Sequence, residues 1–416
     1  MGKISGIKNI TFKEYRKEVK ELVGFNNRFI AYILFLVVKI INNKNFCVFL
    51  LIVSVINFLW LVIPYKEYPL QNDAIEYWDF ARAINHFQYS SFSPNTTNPT
   101  YVIKFGYHIF VASVMFLFGE RQFPIYFVQY LLYCISFIFL YRLSYKIIKS
   151  EKYALFTCIF YALCPAPIVY YRCFLTESLS LFLIIIALDL FFEYYFYSRK
   201  SALFFSALIF VWLVLIRITF FGIPLILALF LLPKRDSWFP LVSITQGASG
   251  KTSLKNTLIF LSLFLSLSLI SLTILSKGTI FNEILTTFTH TNLNLAPTEL
   301  YKQPLHIKLF WLWGVPVIRQ SIYTQIYSYS PLFKFPFPAL LFIFYSVPFS
   351  ILLFKPVPKP LLILYSILLY WTLAYLLSFS IPRFQIPCIP IIILIFASSL
   401  NQLLLLRNSL SSHTKN

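Results

Sequence analysis

The sequence predicts an all-α, polytopic membrane protein, and three observations carry that expectation. Only 12% of the 416 residues are charged, while 59% are hydrophobic and 20% aromatic, with a mean hydropathy of +0.74; ordinary soluble domains carry about 25% charged residues. Apolar runs long enough to approach the thickness of a bilayer recur along the chain. No run alternates with the two-residue period of an outer-membrane barrel strand. Together these exclude a soluble enzyme, a disordered chain and a secreted disulfide scaffold. The net charge of +20 would suggest nucleic acid in a soluble protein. In an apolar chain, basic residues at helix ends are instead the usual topology signal, so no nucleic-acid partner is expected and the surrounding lipids are.

Residues 1–45 form a basic cytoplasmic segment, and its short apolar stretch, interrupted by Lys39, reads as an interfacial helix. About ten transmembrane helices follow, at 46–64, 124–141, 153–171, 177–197, 202–217, 218–233, 257–275, 337–354, 360–379 and 386–406. An N-in, C-in arrangement puts 23 of the 35 Lys and Arg on the cytoplasmic side, as the positive-inside bias requires. Residues 46–235 then make a membrane core, with a first external loop at 65–123. Residues 236–416 hold a cytoplasmic loop, the last spans and a second external loop at 276–336, rich in Pro, Tyr and Trp. Within the first external loop, 105–118 is apolar but short and contains His108. Letting it span would push the basic stretch 142–152 outside, so it is expected to lie flat, or partly sunk, on the outer face beside a second surface helix.

That loop also collects Glu67, Asp73, Glu76, Asp79 and Glu120, five of the 15 acidic residues. The run from Asn72 to Ala81 reads as a helix start, with Asn72 as N-cap and acids in the first turn, where the helix dipole favours them. Asp73, Glu76 and Tyr77 share one face. By pattern alone, Asp73 could equally be a plain capping carboxylate. Glu177, Arg217 and Arg383 are ionisable groups at outer helix ends, where charge is costly unless it faces a polar cavity or another charge. The arginines can snorkel to headgroups or bind phosphate, which the guanidinium fork suits. Asp189 and Glu193, on the inner half of their helix, read as structural. The run Gly247-Ala248-Ser249-Gly250-Lys251-Thr252 lacks the first glycine of a nucleotide loop, since position 245 is Thr245, and no strand precedes it. The six cysteines make no CxxC pair and the five histidines show no ligand spacing, so no metal site is expected.

Several short motifs point one way. Asp73, Tyr77 and Ala81 make a D-x-x-x-Y-x-x-x-A pattern just after the first span. Lys104-Phe105-Gly106-Tyr107-His108 follows, then Leu117-Phe118-Gly119, Pro165-Ala166-Pro167, Leu175-Thr176-Glu177, Arg217-Ile218-Thr219-Phe220 and Pro382-Arg383-Phe384-Gln385-Ile386-Pro387. In order and in predicted sidedness this series resembles the integral-membrane GT-C glycosyltransferases, of the protein O-mannosyltransferase and lipid A aminoarabinose transferase branch. His108 stands where that family commonly has Pro, and Ile218 replaces the Pro of its Arg-Pro-Thr.

The resemblance implies a GT-C-like fold and transfer of a sugar, with inversion, from a polyprenyl-phosphate-linked donor to a lipid, glycan or protein acceptor. The setting it implies is the external face of a bacterial inner membrane. It further implies Asp73 as general base, with Glu76 beside it as the second acid. Arg383, then Arg217 and Lys104, would bind the donor phosphate, and Tyr77, Tyr107, His108 and Glu177 would contact substrate. No cofactor is implied, and a lipid-phosphate leaving group does not demand a metal. A transporter or flippase, and a polysaccharide polymerase or ligase, stand as alternatives.

Overall fold

The computed structural model describes residues 44–62, 73–87, 104–164, 167, 170–171, 173–232, 254–275, 357–377 and 386–413. The expected interfacial helix, Asn72, the cytoplasmic run 247–252, the second external loop, the span at 337–354 and Arg383 all lie outside these residues. The described residues are helical, with no strand among them. The chain divides into two compact units, 1–64 and 65–416.

The first unit contributes α1, Lys44–Val62, a helix apolar around its whole circumference. Within it, Asn57 donates Nδ2 to the carbonyl of Val53 at 2.8 Å. That bond satisfies a polar group that an apolar surrounding would otherwise leave costly.

The second unit holds the rest: α2 (Asp73–Asn85), α3 (Phe105–Phe118), α4 (Gln122–Ile148), α5 (Glu151–Leu163), α6 (Thr176–Tyr197), α7 (Lys200–Ile216), α8 (Gly222–Leu231), α9 (Leu254–Leu275), α10 (Lys359–Leu377) and α11 (Ile389–His413). Four segments are long and apolar enough to cross a bilayer: Gln122–Ile148, Thr176–Tyr197, Leu254–Ser271 and Ile386–Leu405. This marks a helical membrane protein. Other expected spans correspond to shorter helices. The clearest difference is at 153–171, where α5 ends at Leu163 and its last turn is closed by Cys164 N–H on the carbonyls of Phe160 and Tyr161. The sequence then brings Pro165 and Pro167, which lack the N–H a helix needs. At the other short pair, α7 stops at Ile216, a 3₁₀ turn spans Ile218–Phe220, and α8 restarts at Gly222.

Helix α6 is the centre, packed against α7 and α4, while α7 also meets α3 and α9, and α11 closes on α5. Small residues permit the close α6–α7 approach: Ser206 Oγ on α7 donates to the carbonyl of Ala187 on α6 at 2.8 Å, and Ala187 and Ala207 are fully buried. Such small-residue contacts are how helices associate where water offers no driving force.

Toward its C-terminal end α6 carries Asp189 and Glu193, four residues apart and so on one face. They meet Arg142 and Lys146, four apart on α4. Lys146 Nζ lies 2.7 Å from Asp189 Oδ1 and 2.6 Å from Glu193 Oε2, and Arg142 Nη2 lies 3.2 Å from Asp189 Oδ2. Lys146 also donates to the Asp189 carbonyl at 3.0 Å, and Arg199 pairs with Glu193 from the start of α7. Burial leaves these charges little water, so each must find its counter-charge within the protein. The network pins α4, α6 and α7 at one end of the bundle, which is the structural role the sequence suggested for both acids.

Helix α3 rests on α7 through Gly106. A Cβ there would lie 3.0–3.1 Å from Ile216 Cγ1, the backbone carbon of Leu215 and Trp212 Cδ1, and Trp212 Nε1 donates to the Gly106 carbonyl at 3.1 Å. Gly106→Ala is therefore expected to destabilise the protein by about 1–3 kcal/mol through overpacking, read as a lowered unfolding midpoint in detergent. An unchanged midpoint would mean that α3 is not held at this contact.

Candidate functional site

The site is built at the N-terminal ends of α2, α3 and α6 and at the α7–α8 turn. Helix α2 opens with Asp73 and Glu76 in its first turn, where unpaired backbone N–H groups favour negative charge. Its inward face is Tyr77 and Ala81, both buried; the small Ala81 leaves room for α3. Helix α3 starts at Phe105, with the Tyr107 and His108 N–H groups bonded to the Lys104 carbonyl, and ends at Gly119, whose φ of +82° suits a residue without Cβ. Beyond it, Glu120 reaches back to α2, meeting Arg82 Nε at 2.7 Å and His86 Nε2 at 2.7 Å, so the α2–α3 pair is tied at its far end as well.

At the near end Lys104 Nζ sits 3.8 Å from Asp73 Oδ2 and 5.0 Å from the Tyr77 ring centroid. Burial alone would lower the Lys104 pKa, but Tyr77, Asp73 and Glu76 outweigh it and the ammonium is held above its ordinary range. Tyr77 packs edge-on to Tyr107 at 4.9 Å and against His108 at 5.6 Å, while Phe80 stacks on His108 at 4.8 Å. Burial, helped by Lys104, brings the His108 imidazole down to about 3. The ring is thus neutral near pH 7, and neither of its nitrogens has a hydrogen-bond partner among the described residues.

Glu76 behaves oppositely to an exposed acid. Its Oε1 is buried without a hydrogen-bond partner among the described residues. Burial pushes its pKa up, Lys104 opposes this, and Asp73 adds to it. A raised folded-state pKa means the native protein binds more protons than the unfolded chain. The folded form therefore loses stability as pH rises from the unfolded value, about 4.5, through the folded one. Glu76→Gln should raise the melting temperature at pH 7 relative to wild type, and the gain should vanish below pH 4. Melting curves across that range check the sign; a gain that grows on acidification would contradict it.

The second half of the site stands on α6 and α7. Glu177, fully buried, pairs with Arg217 Nη2, while Arg217 Nε donates to Thr176 Oγ1 at 3.0 Å. Arg217 is held at the turn by its own N–H on the Leu213 carbonyl at 2.8 Å. The turn is held in its place by α10: Tyr370 Oη donates to the Thr219 carbonyl at 2.8 Å and accepts from Gly222 N–H at 3.1 Å, and Thr219 Oγ1 meets Tyr375 Oη at 3.1 Å. Tyr77 and Tyr107 lie within electrostatic reach of Glu177, so the two halves adjoin.

Eight of the nine residues singled out from the sequence thus gather here: Asp73, Glu76, Tyr77, Lys104, Tyr107, His108, Glu177 and Arg217. The ninth, Arg383, is outside the described residues. Sequence reasoning missed Gln129 and, on α10, Tyr370 and Tyr375. The signal for Gln129 was available, because an amide inside the apolar run of α4 must find partners within the protein. Among the described residues no three His, Cys, Asp or Glu side chains gather as metal ligands. Chemically, the arrangement offers three carboxylates of unlike environment, two cations and a wall of aromatic rings. No protein-family model matches the chain, and no curated protein matches it.

Proposed function

We propose that this protein is a GT-C-like glycosyltransferase with about ten transmembrane helices, its α2–α3 pair lying on the external face of a bacterial inner membrane. The donor is a sugar linked to polyprenyl phosphate. The observation that carries the reading is the meeting of the Asp73–Lys104 pair with Tyr77, Tyr107 and the Glu177–Arg217 pair around one place, from four separate stretches of sequence whose motifs resemble that family. Asp73, beside the Lys104 ammonium and at a helix N-terminus, is suited to be ionised and to accept a proton. In the step proposed, the acceptor hydroxyl or amine gives its proton to Asp73 as its lone pair bonds to the anomeric carbon. The bond from that carbon to the phosphate oxygen breaks, and its electron pair leaves with the lipid phosphate. Lys104, Arg217 and Arg383 stabilise that departing charge. Glu76 supports Asp73, and Tyr77, Tyr107, His108 and Glu177 shape the walls.

Two experiments test this reading. Membranes containing the protein, given labelled polyprenyl-phosphate sugars or labelled nucleotide sugars, should incorporate label from the first class and not the second; incorporation only from nucleotide sugars would overturn the donor assignment. For topology, a cysteine placed at Asn95 should react with an impermeant thiol reagent added outside sealed cells, and one at Ser249 should not. Labelling at Ser249 would reverse the arrangement.

A further inference from the structure

One buried side chain joins the two halves of the site. Gln129 of α4 is fully buried and uses both ends of its amide. Its Oε1 accepts from Tyr107 Oη at 2.9 Å and from Ser178 Oγ at 2.6 Å. Its Nε2 donates to the carbonyls of Tyr171 and Cys173, each at 3.0 Å. Two N–H donors and two oxygen lone pairs are the whole capacity of a carboxamide, and here all four are used.

The partners fall in three places. Tyr107 lies on α3, and its ring supports Tyr77 at 4.9 Å, the ring over which Lys104 sits. Ser178 lies in the first turn of α6, next to Glu177. The carbonyls of Tyr171 and Cys173 belong to the connection that delivers the chain to α6, where Phe174 packs between Tyr107, at 6.1 Å, and Trp78 of α2, at 5.8 Å.

We propose that Gln129 is a positioning residue that sets the Asp73–Lys104 half of the site against the Glu177–Arg217 half, which it does by holding Tyr107 with the oxygen and the 171–173 connection with the nitrogen. This rests on the glycosyltransferase reading only for its effect on turnover. A side chain that merely filled space would make no distinction between its two ends. Gln129 makes one, because only the oxygen serves α3 and only the nitrogen serves the connection.

The test uses the full-length protein in nanodiscs and three variants. Gln129→Leu removes all four bonds at similar volume. Gln129→Glu, which burial against two carbonyls keeps protonated, can keep both acceptor bonds on one oxygen and offers a single O–H where the amide offered two N–H donors. Tyr107→Phe removes a single bond. Hydrogen–deuterium exchange is followed in residues 104–110 and 173–180, with 185–195 at the far end of α6 as reference. Gln129→Leu should speed exchange about tenfold or more in both segments, Gln129→Glu in 173–180 alone and Tyr107→Phe in 104–110 alone, with the reference unchanged throughout. Acceleration that includes the reference, identical patterns for Leu and Glu, or no acceleration would overturn the proposal. Turnover is measured in parallel with a labelled polyprenyl-phosphate hexose. Gln129→Leu should lose about 10²-fold in kcat with little change in donor KM, as for a misplaced reacting group; a loss confined to KM would also count against it. If wild type transfers no sugar, the functional reading fails, and the exchange pattern still decides the role of Gln129.

Discussion

Asp73→Asn is expected to lower turnover by about 10² to 10⁴-fold, the usual cost of losing a general base, while the protein folds and binds donor as before. The substitution keeps the shape of the side chain and its value at the start of α2, but removes the charge that faces Lys104 Nζ at 3.8 Å and the ability to take a proton. Donor affinity should change little, since the base addresses the acceptor. The neighbouring change Glu76→Gln should cost less, because burial already pushes that carboxyl toward its protonated form. A comparison of expression, donor binding and single-turnover rate for both variants separates the cases. Turnover near that of wild type by a folded, donor-bound Asp73→Asn protein would remove Asp73 from the mechanism.

The second large effect is on stability. Asp189→Ala is expected to destabilise the protein by about 3–5 kcal/mol, the range for stranding a buried charge by removing its partner. Asp189 is fully buried and is the contact of Lys146 Nζ at 2.7 Å and Arg142 Nη2 at 3.2 Å, so the variant leaves Arg142, Lys146 and Arg199 to share Glu193. Adding Lys146→Met should recover part of the loss, since removing both members of a pair is less costly than removing one. Unfolding titrations in mixed detergent measure both proteins. A single-variant loss below about 1 kcal/mol, or a double variant less stable than the single, would contradict the role given to this network.

The helical membrane class was legible from composition, and the positions of α4, α6, α9 and α11 from hydropathy, because long apolar runs have few other solutions. The break of α5 at Leu163 was less so: the apolar run continues past it, and only Pro165 and Pro167 signal the end. Pairing of charges was partly legible. Asp189 and Glu193 could be judged structural from their depth, yet nothing in the spacing named Arg142 and Lys146, which lie more than 40 residues away in sequence. In the site, α2 could be read from its acids and its i, i+3, i+4 face. The partnership of Glu177 with Arg217 across 40 residues, and the four bonds of Gln129, are products of tertiary packing that a linear pattern does not encode.

The most direct measurement of the central claim uses purified protein in sealed vesicles of known orientation, loaded with a polyprenyl-phosphate hexose labelled in the sugar. On addition of acceptor to the compartment that faces the α2–α3 pair, label should leave the lipid phosphate and become covalently attached to acceptor, with free polyprenyl phosphate formed in equal amount, and Asp73→Asn should abolish the transfer. Label that crosses the bilayer while still joined to its lipid, with no polyprenyl phosphate released, would contradict the account and identify a flippase in its place.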